Sequence, residues 1–159
     1  MLTTSAILLT LFILNLGTAF GAGLYETVII LPKWFPRSLN AGYTVDTTAM
    51  REIDSGRKFW GMVTTMPLTL LTFANLYFAA QSPHPAHDWW VAAALLTLVE
   101  RISTFTFFIP TAIKLQNAET LTPARIHGMV SRWVKLNSIR CTLNLLGWIL
   151  AIEALALYF

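Results

Sequence analysis

Four apolar runs, each long enough to cross a bilayer as a helix, dominate this chain and set the solvent in which it folds. Spanning a hydrocarbon core takes roughly 20 helical residues. The runs cover about Thr4–Leu31, Phe59–Ala80, Trp89–Ile113 and Val134–Tyr158. Inside lipid every backbone N–H and C=O must find a partner within its own segment, so each run is expected to be a helix. Charge is correspondingly scarce. Asp, Glu, Lys and Arg make up 12% of the residues, about half their share in a soluble domain. The expected fold is all-α: one transmembrane domain over residues 1–159, a four-helix bundle running up-down-up-down.

The first run could be mistaken for a signal peptide, since Ala19 and Gly21 are small residues at cleavage spacing. No basic residue precedes it, and it is too long for a signal core, so it reads as a true helix. The fourth helix is expected to begin before lipid, because Thr122 followed by Pro123 is a helix start with proline at the first position. That extends it to about 123–158. Pro67 is expected to kink the second helix. Asp46 or Thr47 is placed to cap a short surface helix through Met50, Ile53 and Lys58. The chain shows no internal repeat, which argues against an inverted-repeat transporter.

Orientation follows from the basic residues. The first loop carries Lys33, Arg37, Arg51, Arg57 and Lys58; the second, from Gln81 to Asp88, carries none; the third carries Lys114, Arg125, Arg132 and Lys135. The positive-inside rule puts the first and third loops in the cytoplasm and both termini outside, as in a bacterial inner membrane. The net charge of +3 and the pI near 9.3 belong to those loops, so nucleic acid is rejected as a partner and the bilayer is expected instead. Trp34, Trp60, Trp133, Trp89 and Trp90 fall near run ends, as an aromatic belt would require, whereas Trp148 lies deep in the fourth run.

The informative residues are those that lipid should exclude: Asn15, Glu26, Asn75, Glu100, Arg101, Asn137, Arg140, Asn144 and Glu153. A charge at mid-bilayer costs at least about 2.5–3.5 kcal/mol, so each should face the bundle interior or a partner. Asn15, Ala19, Ala22 and Glu26 share one helical face, with Gly17 and Gly21 forming a GxxxG pair beside it. Trp133, Asn137, Arg140, Asn144 and Trp148 form a polar and aromatic stripe along the fourth helix. Glu26 lies about 8 Å inside its end of the first helix, and Arg140 about 9 Å inside the same end of the fourth, at 1.5 Å per residue. A Glu26–Arg140 pair is expected, with Asn137 and Thr64 nearby. Glu100 and Arg101, about 100° apart on their helix, are expected to diverge, one toward a cavity and the other toward a neighbouring helix. Glu153 should reach outer water.

A buried Glu–Arg pair has two readings, a structural clip between helices or a functional site, and both stay open here. Metal chemistry has little support. His84 and His87 are separated by Pro85, His127 reads as a solvated loop residue, and Cys141 reads as a buried inert thiol. No cofactor motif is present.

The residues Gly23-Leu24-Tyr25-Glu26 followed by Pro32 and Trp34, then Glu100-Arg101 with Phe108-Ile109-Pro110, then Trp133, Asn137 and Arg140, resemble a family of small four-helix membrane proteins. That family includes the fungal anthrone oxygenases. The resemblance implies oxidation of a small hydrophobic aromatic ligand, anthrone- or quinol-like, by molecular oxygen without a metal or flavin cofactor. It implies Glu26 as base, Arg140 or Arg101 for the enolate oxygen, Asn137 to orient the ring and Trp133 to stack on it. Thr64, Glu100 and Asn144 complete the expected substrate-binding set. The rival reading is a non-catalytic module that binds a lipophilic ligand or serves as a small subunit of a membrane complex. Homo-oligomerisation is left open by the sequence.

Overall fold

The computed structural model describes residues 3–38 and 42–159. Among them, four helices are long and apolar enough to cross a membrane: Thr4–Trp34, Gly56–Ala79, Ala86–Leu115 and Pro123–Tyr158. They pack in a ring in chain order, each against the two flanking it, so the bundle runs up-down-up-down. The chain is a multi-pass integral membrane protein. Its outer face agrees: Leu14, Val28, Met62, Leu70 and Phe73 are each more than half exposed, a continuous apolar surface that water would not tolerate. The first and last helices end side by side, where Thr3 Oγ1 lies 3.1 Å from the Tyr158 hydroxyl.

Three of the four long helices contain a π-helical segment: Glu26–Ile30, Gly56–Thr65 and Thr104–Phe108. Each segment ends two residues before a proline, at Pro32, Pro67 and Pro110. A proline inside an α-helix has no N–H for the carbonyl four residues back, and its ring crowds that carbonyl. Widening the preceding turn to an i→i+5 bond relieves the crowding. Leu31 donates to Glu26 O, Met66 to Gly61 O and Ile109 to Thr104 O, each across five residues. The kink expected at Pro67 is therefore one case of a device used three times. Such π-turns cluster at functional sites because they re-aim side chains.

Two apolar clusters fill the bundle. One, near the termini, holds Leu9, Phe12, Leu16, Leu68, Trp90 and Ala151. The other, at the end that carries the basic loops, holds Trp34, Phe35, Met50, Phe108, Val130 and Trp133. Glu26, Glu100, Arg101, Asn137 and Asn144 are buried at the positions between them along their helices.

Loop structure packs over the basic end. The short helix Thr47–Ile53 is capped by Asp46, whose side chain accepts from the Ala49 amide, and it stops at the left-handed Asp54 rather than running through Lys58 as expected; Lys58 belongs to the second long helix. Arg51 donates to Gln116 O at 2.6 Å and to Glu119 Oε1 at 2.9 Å, which ties this helix to the end of the third one. A two-stranded hairpin, Arg37–Ser38 with Gly42–Tyr43, rests on the start of the fourth helix. There the Tyr43 amide donates to His127 Nδ1 at 3.1 Å. His127 is solvated as expected, but it belongs to a helix and anchors this hairpin rather than lying free in a loop.

One aromatic assignment near the termini needs correction. Trp90 is not an interfacial anchor: it is fully buried and donates to Asn75 Oδ1 at 2.9 Å. Asn75 in turn donates to Leu71 O and Leu8 O, knitting three helices together. Trp89, by contrast, is 42% exposed, as an anchor should be. Gly17 faces Trp148 of the same chain, whose ring would lie 3.1 Å from an added Cβ, so this member of the GxxxG pair admits the protein's own fourth helix, while Gly21 meets nothing within 4 Å.

Candidate functional site

The π-turn at Glu26 places its carboxylate between the first, second and fourth helices. Arg140 Nη2 donates to Oε2 at 2.8 Å and Trp60 Nε1 donates to Oε1 at 2.9 Å. Ser55 adds a longer contact to Oε1 at 3.4 Å. The pair expected from helical depth is present, and it is buried, with Glu26 at 4% exposure. Two charges taken out of lipid or water together need their remaining hydrogen-bonding capacity met. Arg140 Nη2 also donates to Asn137 Oδ1 at 2.6 Å, and Asn137 Nδ2 donates to Thr27 Oγ1 at 2.7 Å. The guanidinium lies over the Phe108 ring at 4.4 Å and over the Trp60 ring at 5.3 Å, so two aromatic faces hold it by cation–π attraction.

Beside this cluster is a cavity of about 280 Å³, close to the smaller end of ligand pockets. Its walls come from all four long helices and the short one. Glu26, Trp60, Arg140 and Phe108 line one side, and Glu100, Arg101, Thr104 and Asn144 line the deep part. Met50, Asp54 and Gln116, from the basic end, also line it. All three π-turns contribute wall residues: Glu26 from the first, Trp60 and Gly61 from the second, Thr104 and Phe108 from the third.

Glu100 and Arg101 do not diverge as expected. Arg101 folds back and pairs with the carboxylate of its own neighbour Glu100, and Thr104 Oγ1 donates to Glu100 Oε1 at 3.0 Å. Both residues line the cavity. The expectation failed because the 100° step fixes where Cβ points, whereas a long arginine stem can curl back.

Two expected cavity residues lie elsewhere. Thr64 is fully buried, donates to Trp60 O at 3.2 Å and is not in the cavity wall, where its neighbour Thr65 stands instead. Asn137 is also absent from the wall. Its amide is spent between Thr27 and Arg140, so it positions the arginine rather than a ring. Trp133 and Asn144 do line the cavity.

Trp34 and Trp60 were assigned by their place at helix ends to the aromatic belt, yet both line the cavity and Trp34 is 5% exposed. The available signal was each one's neighbourhood: Trp60 sits within the run of weakly polar residues before Pro67, and Trp34 follows Pro32. Glu153 is exposed on the outside of the bundle. Among the described residues, no three His, Cys, Asp or Glu side chains converge as a metal site.

A family model described as anthrone oxygenase matches residues 56–150, more than half of the chain. The match takes in Trp60, Glu100, Arg101, Trp133, Asn137, Arg140 and Asn144, while Trp34 and Glu26 precede it. No curated protein and no solved structure matches the chain. With three of its four long helices inside the matched region, two of them to their full length, this chain belongs to the anthrone oxygenase family.

Proposed function

We propose that the protein is a membrane oxygenase whose cavity takes a small hydrophobic aromatic ketone, or its quinol-like tautomer, and that Glu26 removes the proton that starts the reaction. The observation that carries this reading is the Glu26 carboxylate, buried at the wall of an apolar and aromatic cavity and oriented by Arg140 and Trp60. Oε1 accepts from Trp60 and Ser55, whereas Oε2 accepts from Arg140 alone and keeps a lone pair for a substrate proton. That arrangement suits a general base.

The chemistry balances with oxygen as the co-reactant. Glu26 takes a proton from the methylene group conjugated with the substrate carbonyl, which leaves a carbanion delocalised as an enolate. Arg140 or Arg101 stabilises the enolate oxygen. The carbanion transfers electrons to O₂ and forms a C–O bond, giving a hydroperoxide once a proton is returned. Loss of water from the hydroperoxide leaves a second carbonyl where the methylene was. The substrate carbon is oxidised and O₂ is reduced, one oxygen atom ending in the product and the other in water. Asn137 acts through Arg140 by holding its guanidinium. The basic end of the bundle, following the positive-inside rule, is placed in the cytoplasm.

The test is oxygen uptake by the protein in lipid nanodiscs supplied with a simple anthrone. Uptake well above that of empty discs is expected, falling about 10²–10⁴-fold in Glu26→Gln. Uptake indistinguishable from empty discs across several aromatic ketones would remove the oxygenase reading.

A further inference from the structure

The described residues contain five buried side-chain nitrogen or oxygen atoms without a hydrogen-bond partner: Asn15 Oδ1, Trp34 Nε1, Arg101 Nη1, Trp133 Nε1 and Asn144 Oδ1. Folded proteins leave few such atoms, and each one calls for a cause. Four of the five belong to residues that line the single cavity beside Glu26. Chance scatter over a bundle of this size would not gather them there. The fifth, on Asn15, lies in a groove between the first and second helices and has its amide nitrogen engaged.

Three of the four cavity residues, Trp34, Trp133 and Arg101, are held in place by other contacts. Trp34 packs edge-on against Phe35, Phe35 edge-on against Trp133, and Trp133 edge-on against Phe108, with ring centroids 6.3, 6.1 and 5.1 Å apart. Arg101 is fixed through Nε and Nη2 on Glu100, which leaves Nη1 over. These side chains cannot swing away to find other partners without breaking the packing. The set comprises three donors and one acceptor. The cavity's two buried arginines are each paired with a carboxylate, Arg140 with Glu26 and Arg101 with Glu100. A neutral ligand therefore fits better than an anion. Phe108, Ile109, Ala112 and Ile113 make part of the wall apolar, and toward the basic end it carries Asp54, Arg57 and Gln116, with Arg57 facing Asp54 at 3.9 Å.

We infer that Trp34, Trp133, Arg101 and Asn144 form a hydrogen-bonding frame that selects a neutral, flat aromatic ligand by its oxygens, at least two acceptors for the three donors and one hydroxyl for Asn144. This rests on the proposed function in taking the cavity as the ligand site and the ligand as a flat aromatic; the frame itself carries the choice of oxygens. It gives Trp133 and Trp34 a specificity role through their indole N–H groups, and Arg101 a role apart from charge.

The test is binding under anaerobic conditions, in nanodiscs, with partition into empty discs subtracted. The probes are anthracene, anthraquinone and a dihydroxyanthraquinone, which share one flat body and differ in oxygens. The wild type is expected to bind the dihydroxyanthraquinone about tenfold or more tighter than anthracene. Trp34→Phe and Trp133→Phe should each shrink that preference about fivefold, the worth of one hydrogen bond. Asn144→Leu should remove the preference for the hydroxylated quinone over anthraquinone. In the wild type, the isotope-labelled indole N–H resonances of Trp34 and Trp133 should shift with anthraquinone and not with anthracene, a readout that stands even if a variant fails to fold. Equal affinity for anthracene and the quinones, no binding of any probe, or unmoved indole resonances would overturn the inference. Oxygen preference without oxygen uptake would retire the oxygenase reading and leave this one intact; uptake without oxygen preference would do the reverse.

Discussion

Asn15 Nδ2 donates to the backbone carbonyl of Val63 at 3.0 Å, and Val63 is the residue whose helical partner Pro67 removes. In an unbroken α-helix that carbonyl would accept from the amide of residue 67, which proline lacks. A side chain of the first helix thus replaces a backbone bond missing from the second. Within lipid such replacement is what makes a mid-helix proline tolerable.

Replacing Asn15 by leucine is expected to lower stability by about 1 kcal/mol, the usual worth of one such bond. In a Pro67→Ala background residue 67 regains its N–H, and the cost should fall toward zero. Unfolding in detergent mixtures, run as a double-mutant cycle, measures both. An equal loss in the two backgrounds would show that Asn15 does not serve the proline.

Helical arithmetic made part of this legible. Depth along two helices brought Glu26 to Arg140 because 1.5 Å per residue holds well enough over five or six residues. It also put Asn15 on the Glu26 face, but helical phase says nothing about carbonyls freed on a neighbouring helix. The three π-turns were not legible. Each adds a residue to a turn and shifts every later side chain around the helix, so that Thr65 rather than Thr64 reaches the cavity. Trp34 and Trp60 were lost to a rule about helix ends that holds for exposed tryptophans such as Trp89. A long side chain that curls back, as Arg101 does onto Glu100, escapes any reading based on backbone angles.

The glycines of the first helix should separate cleanly. An added Cβ at Gly21 would meet nothing within 4 Å, whereas at Gly17 it would sit 3.1 Å from two ring atoms of Trp148. Gly21→Ala is expected to stabilise the helix, by about 0.5–1 kcal/mol on soluble-helix scales. Gly17→Ala must push a large ring within a packed bundle and should cost about 1–3 kcal/mol. Detergent-unfolding midpoints that move in the same direction for both would contradict the close approach at Gly17.

Glu119, in the loop beyond the third helix, has its carboxyl held below the usual carboxylate range, first by a backbone hydrogen bond and then by Arg51. A group whose folded pKa is depressed stabilises the folded state above its unfolded pKa and loses that contribution as pH falls through the folded value. The clasp on the short helix should therefore hold at neutral pH and loosen only on the acid side of an ordinary glutamate. Carboxyl NMR titration of the nanodisc sample should give a midpoint for Glu119 below that of a free glutamate. A midpoint at or above the ordinary value would mean that Arg51 is held by the Gln116 carbonyl alone.

Arg140 is held by a carboxylate, an amide and two aromatic faces, and its removal should be felt unequally according to what stands opposite. Arg140→Leu leaves the Glu26 charge buried beside a hydrocarbon side chain, and breaking a buried pair from one side costs about 3–5 kcal/mol. Glu26→Gln keeps the shape of the side chain and removes the charge, so Arg140→Leu on that background should cost roughly half as much or less. The difference between the two losses, measured in the same detergent-unfolding cycle, is the coupling of the pair. A coupling near zero would mean that the arginine is held by Asn137, Phe108 and Trp60 rather than by Glu26. It would then be free to serve a substrate oxygen without disturbing the base.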